Sequence, residues 1–80
     1  MIEAMDASTP TVLWRLWHGN GAESRAVLIP GEPQTTLTVF VNDVMDRAEN
    51  FDTVDVALFR ADDLRAALLA DGWRDEPVRS

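Results

Sequence analysis

The stretch TTLTVFVNDVMDRAENF, residues Thr35–Phe51, decides the fold of this chain. Counted at helical spacing, Leu37, Phe40, Val41, Val44, Ala48 and Phe51 fall at i, i+3, i+4, i+7, i+11 and i+14, which is an apolar stripe. Counted for propensity, Thr35-Thr36-Leu37-Thr38-Val39-Phe40-Val41 is a poor helix. β-branched side chains lose rotamer freedom against a helical turn and pack well on a pleated surface. Asn42-Asp43 also suits a tight hairpin, since Asn and Asp are the non-glycine residues that best tolerate positive φ. The balance favours two strands, Thr35–Val41 and Val44–Phe51, over one helix.

Working outward towards the N-terminus, Thr11 to His18 reads TVLWRLWH, bulky and β-branched with a single charge, and predicts a strand. Gly19-Asn20-Gly21 signals a turn, and Ser24 to Ile29 reads as the returning strand. Pro30-Gly31-Glu32-Pro33 ends it, because proline has no N–H to give a ladder. Residues 1–10 lack periodicity and are expected to form a flexible arm.

Towards the C-terminus, Val54, Ala57, Leu58, Ala61, Leu64 and Leu68 recur at helical spacing and predict a helix over about residues 54–71. Thr53 or Asp52 is a suitable N-cap, and Asp55 lies in the first turn, where a carboxylate meets the positive end of the helix dipole. Gly72 followed by Trp73 has the form of a C-cap glycine with an apolar residue placed to fold back on Leu68 or Leu69. Residues 75–80 read as a flexible charged tail. The expected architecture is therefore α+β, a single domain over residues 11–74: a four-stranded antiparallel β-meander with one C-terminal α-helix on one face (ββββα). The alternative is ββαβα.

The pattern Phe51-x-Thr53-x-x-x-Ala57-Leu58-x-x-Ala61-x-x-Leu64-Arg65-x-x-Leu68-x-x-x-Gly72-Trp73, after a meander containing Trp14-Arg15-Leu16, resembles short uncharacterised bacterial proteins with a four-stranded meander and a C-terminal helix. The resemblance spans about residues 12–73 and rests on caps and a core stripe. It implies the ββββα arrangement and no activity.

Composition excludes several chemistries. The chain has 80 residues and a net charge of −7, with no cysteine. All seven basic residues are arginine. Disulfides, thiolate metal sites, cysteine nucleophiles and lysine Schiff bases are thereby absent. No uncharged run approaches the ~20 apolar residues of a membrane span. Met1–Thr9 carries Glu3 and Asp6 without an apolar core, so no signal peptide is expected and a cytoplasmic location is the default. His18 and Ser24 could meet across the first hairpin loop, but no third group marks an orienting partner. Asp62 and Asp63 diverge by about 100° on a helix, and Asp62 is placed for a surface pair with Arg65 instead. Asp43 and Asp46 form the other carboxylate pair. No enzyme, cofactor or metal site is expected.

Strand alternation points to an interaction surface. If Trp17 faces Arg25, one sheet face holds Val12, Trp14, Leu16, Ala26 and Leu28. The other holds Leu13, Arg15, Trp17, Arg25, Val27 and Ile29, with Phe40 beside them. One helix covers one face, so the second set is left open and marks a partner-binding surface, for a second copy or another protein. Phe59 lies off the helical stripe and is open to either reading. The topology also resembles that of Whirly and coactivator-type single-stranded-DNA-binding proteins, with Arg15, Arg25, Trp17 and Phe40 imitating an aromatic and basic platform. Charge opposes this reading, since residues 43–76 hold ten acids against four bases. Asp55, Asp62, Asp63 and Asp71 offer a third possibility, an acidic surface that mimics nucleic acid or inhibits a basic partner.

Overall fold

The computed structural model describes residues 9–19 and 21–76. Four strands, β1 (Thr11–Trp17), β2 (Glu23–Ile29), β3 (Thr35–Val41) and β4 (Val44–Phe51), precede one helix, α1 (Val54–Ala70). The strands pair antiparallel in the order β1-β2-β3-β4, a meander. The Thr35–Phe51 segment is thus two strands, as its β-branched residues predict. Asn42 and Asp43 take φ of 52° and 67°, and this pair of left-handed residues matches the right-handed twist of the flanking strands. Asn42 also ties the turn to β2: its Oδ1 accepts from the Glu23 amide at 3.0 Å, and its own amide donates to the Glu23 carbonyl at 2.8 Å.

The helix begins and ends as its flanking residues require. Thr53 is extended, and its hydroxyl oxygen accepts from the Val56 amide at 3.2 Å. At the other end Trp73 N–H donates to Leu68 at 3.0 Å and Gly72 N–H donates to Leu69 at 3.2 Å, the paired bonds of a Schellman cap. Gly72 sits at φ +101°, which side chains resist. The cap turns the chain back along the sheet, where Arg74 and Trp17 exchange backbone hydrogen bonds of 2.8 and 2.7 Å. The outer edge of β1 is covered at that point by a single bridge.

The core lies between α1 and one face of the sheet. Ala57 and Ala61 are 0% and 2% exposed and are the only helical residues in the buried class among those described. Ala61 clusters with Ala26, Leu37 and Val39, with Leu13, Trp14, Phe51 and Leu64 packed around them. Small side chains let the helix approach closely, and the Trp14 indole N–H then reaches the Ala61 carbonyl at 2.9 Å. The helix is narrower in contact than its sequence stripe implies, because Val54 and Leu58 remain 38% and 40% exposed.

Two irregularities change which side chains share a face. Val12 pairs with Val27 and Trp14 with Ala26, so Leu13 is the extra residue of a bulge. Leu13 therefore joins Trp14 against the core, and Val12 turns to the open face. Strict alternation predicts the reverse placement of these two residues, and it fails at a bulge. Between β3 and β4, Val39 pairs with Arg47 and Phe40 with Met45, leaving Asp46 as the extra residue. Trp17 lies opposite Glu23 rather than Arg25, and Arg15 lies opposite Arg25. That is a shift of two residues, which leaves every other facial assignment unchanged. The expected arm, 1–10, and tail, 75–80, fall largely outside the described residues.

Replacing Trp14 by Phe keeps an aromatic ring but removes the bond to Ala61, and urea unfolding should show a loss of about 1 kcal/mol. Ala57→Leu should cost about 1–3 kcal/mol by forcing helix and sheet apart. At Gly72 an added Cβ would meet only His18 Nε2, at 3.7 Å, so space is available and backbone strain sets the cost. Gly72→Ala should lower stability by about 1 kcal/mol or more. An unchanged denaturation midpoint in any of the three would contradict the packing or cap assigned to that residue.

Candidate functional site

The uncovered face of the sheet carries the residues that the sequence singles out for partner contact. Val12, Arg15 and Trp17 from β1 lie opposite Val27, Arg25 and Glu23 of β2. Arg25, Val27 and Ile29 lie in turn opposite Phe40, Thr38 and Thr36 of β3. Met45 of β4 stands opposite Phe40. Of the seven expected residues, Arg15, Trp17, Arg25, Val27, Ile29 and Phe40 share this face, and Leu13 does not. Val27 is on the face but is only 9% exposed, so it supports the surface more than it presents itself. The accessible apolar positions lie around it: Val12 at 44%, Ile29 at 36% and Met45 at 59%. The bulge at Leu13 places Val12 there, and the two-residue turn at Asn42-Asp43 places Met45 there by pairing it with Phe40.

The charges on this face are engaged with one another. Arg15 and Arg25 stand opposite each other across β1 and β2, a repulsive arrangement on its own. Glu23 relieves it, with Oε2 3.9 Å from Arg15 Nε and Oε1 3.3 Å from Arg25 Nη1. Arg25 Nη1 also donates to the Asp43 carboxylate, and its guanidinium lies 4.8 Å from the centre of the Phe40 ring. The Asp43 bond is the chief reason that the Arg25 pKa is raised above its ordinary value. Partial desolvation opposes this rise, and the fields of Asp43 and Glu23 add to it. The contact follows from the hairpin: a two-residue turn after Val41 swings Asp43 back over β2.

The acidic positions are arranged differently. Asp55, Asp62, Asp63 and Asp71 are all exposed on or beside α1. Asp63 lies 3.6 Å from Arg60, which also pairs with Glu49 of β4 at 3.2 Å. Arg65 pairs with Asp75 at 3.3 Å, not with Asp62 as its spacing predicts. The reversal of the chain at Gly72 brings a second carboxylate within reach. Phe59 is 78% exposed, beside Leu58 and between Asp55 and Asp62.

His18 and Ser24 both lie on the covered side of the first hairpin. His18 Nδ1 and Ser24 Oγ are buried without hydrogen-bond partners, so the two do not form the base-and-hydroxyl pair that activates a nucleophile. The imidazole stands edge-on to Trp73, with ring centres 5.2 Å apart. Among the described residues no three His, Cys, Asp or Glu side chains gather as a metal site would require, and no helix is long and apolar enough to cross a membrane.

No protein-family model, curated protein or solved structure matches the chain. The expected resemblance to short bacterial proteins thus has no relative behind it, and what the structure shows is the architecture, a four-stranded meander followed by a helix.

Asp43→Asn retains a side chain suited to positive φ while removing the carboxylate that holds Arg25. The guanidinium protons of Arg25, followed by nitrogen-15 NMR, should exchange faster with water in this variant than in the parent. Equal exchange rates would show that Asp43 does not hold the guanidinium in solution.

Proposed function

We propose that this protein is a small, non-enzymatic interaction module that self-associates through the open face of its sheet. The observation that carries this reading is a ring of accessible apolar side chains on a surface whose charges balance. Val12, Ile29 and Met45 are exposed beside the half-buried Trp17 and Phe40. Arg15 and Arg25 are offset by Glu23 and Asp43. The chain as a whole carries −7, so two copies repel over most orientations. The sheet face lets them meet without that penalty. It also holds both signs of charge, so a two-fold contact, in which the patch meets itself, can set opposite charges against each other.

Area sets the strength of the contact. Four strands spaced ~4.8 Å apart and seven residues long, at ~3.3 Å per residue, present a face of roughly 450 Å². Two such faces would bury about 900 Å², below the ~1,200 Å² of stable specific interfaces and within the range of weak, transient ones, which corresponds to a reversible dimer. Nucleic acid suits this surface less well. Phe40 is already stacked by Arg25, Arg25 is held by two carboxylates, and Arg15 lies near one of them. A phosphate would have to displace these contacts before gaining a counter-charge.

Sedimentation equilibrium from about 10 µM to about 1 mM should show a monomer–dimer transition, as an interface of this size implies. Ile29→Asp places an unpaired charge in the rim at an accessible position. It should shift the transition at least about tenfold in concentration while leaving the circular dichroism spectrum unchanged. A monomer throughout the range in the parent chain would overturn the reading. Saturable binding of oligo-dT at about 50 mM salt, lost in Arg15→Ala and Trp17→Ala, would replace it with the nucleic-acid alternative.

A further inference from the structure

A cleft of about 220 Å³ lies on the other side of the sheet, between the C-terminal half of α1 and strands β1–β4. It lies where the burial of the helix becomes less complete. Ala57 and Ala61 bring the first turns close to the sheet, whereas Leu64 and Leu68 further along are only half-buried. Trp14, Val39, Leu68 and Trp73 form the apolar walls. Asp46 and Arg47 are the rim, 54% and 45% exposed in their side chains and 3.8 Å from each other. The bulge at Asp46 is what turns both residues to this side of β4.

One group in the cleft lacks what a folded interior normally supplies. Ser24 is 1% exposed, the most buried of the lining residues that reach the core of the sheet, and its hydroxyl has no hydrogen-bond partner. A hydroxyl taken from water and left unbonded is disfavoured until another molecule provides a donor or acceptor. We propose that the cleft is a binding site for a small uncharged aromatic molecule with one hydroxyl, of the substituted-phenol class, whose hydroxyl pairs with Ser24.

Three features support that chemical class. A cavity of ~150 Å³ lined by aliphatic and aromatic side chains holds benzene, so the larger volume here suits one substituted ring. Two indoles in the walls favour an aromatic occupant, which can stack or meet them edge to face. The rim charges cancel, so neither an anion nor a cation gains from them, and a neutral hydroxyl serves Ser24 as both donor and acceptor. This site is separate from the open sheet face, and its test is independent of dimer formation.

The probes are 4-ethylphenol and ethylbenzene, which differ by the hydroxyl alone. In proton–nitrogen NMR spectra, 4-ethylphenol should saturably shift the indole N–H signals of Trp14 and Trp73 while leaving that of Trp17 in place. Ethylbenzene should bind about threefold to tenfold more weakly, the ratio expected of one net hydrogen bond. Ser24→Ala removes an unpartnered hydroxyl and should keep the fold. In it the two probes should bind within about twofold of each other. Val41→Phe fills the cleft from β3 and should abolish binding of both. The proposal is overturned by any of three results: no saturable shift up to about 10 mM 4-ethylphenol, shifts centred on Trp17, or a preference for the phenol that survives in Ser24→Ala.

Discussion

Two alanines and one indole hold the layers of this protein together. Ala57 and Ala61 leave so little side chain between helix and sheet that the Trp14 N–H reaches the Ala61 carbonyl at 2.9 Å. A helix so placed stands directly over Ala26, Leu37 and Val39. It has no spare breadth, and its larger apolar residues lie along the margins of the contact. Most other features of the molecule follow from that narrow contact. One sheet face is covered and the other is left open, because a single helix makes one layer. Beyond Ala61 the helix presents the half-buried Leu64 and Leu68 to the sheet, and the cleft beside Ser24 lies there.

Charge is distributed to suit this arrangement. A chain of −7 could repel every copy of itself, but its open face holds two arginines against two nearby carboxylates. Surface ion pairs of this kind add little to stability, since water screens them and ordering the side chains costs entropy. Their effect is on what the surface can meet. By holding Arg25, whose side chain is 23% exposed, over Phe40 and beside Asp43, the structure engages this cation internally. What remains available at the surface is apolar.

The strands of the disputed Thr35–Phe51 segment were legible because local chemistry and hydrophobic pattern agree there. Threonines and valines disfavour a helix, and Asn42-Asp43 supplies the only two non-glycine left-handed residues among those described. The helix caps were legible for the same reason, since Thr53 and Gly72 act on backbone groups a few residues away. Six of the seven residues expected on the open face lie there. Leu13 was misplaced because a bulge in an unbroken apolar run leaves no trace in composition. Val12 was missed on the same ground, whereas Met45 takes its place from the two-residue turn that pairs it with Phe40. Asp75 displaced Asp62 as the partner of Arg65, because spacing along a helix says nothing about a chain that turns back on it.

The sequence by itself determined the kinds of element, their order and their ends. It also excluded thiol, lysine and metal–cysteine chemistry, since these depend on residue identity and on contacts within one turn or one hairpin. Tertiary structure alone decided which side chains share a face at the bulges, how closely the helix settles, and which hydroxyl is left unpartnered beneath it. Those outcomes depend on packing among β1, β3 and α1, which lie far apart in the chain. An extra residue in a strand or an alanine in a helix acquires its meaning only from the element laid against it.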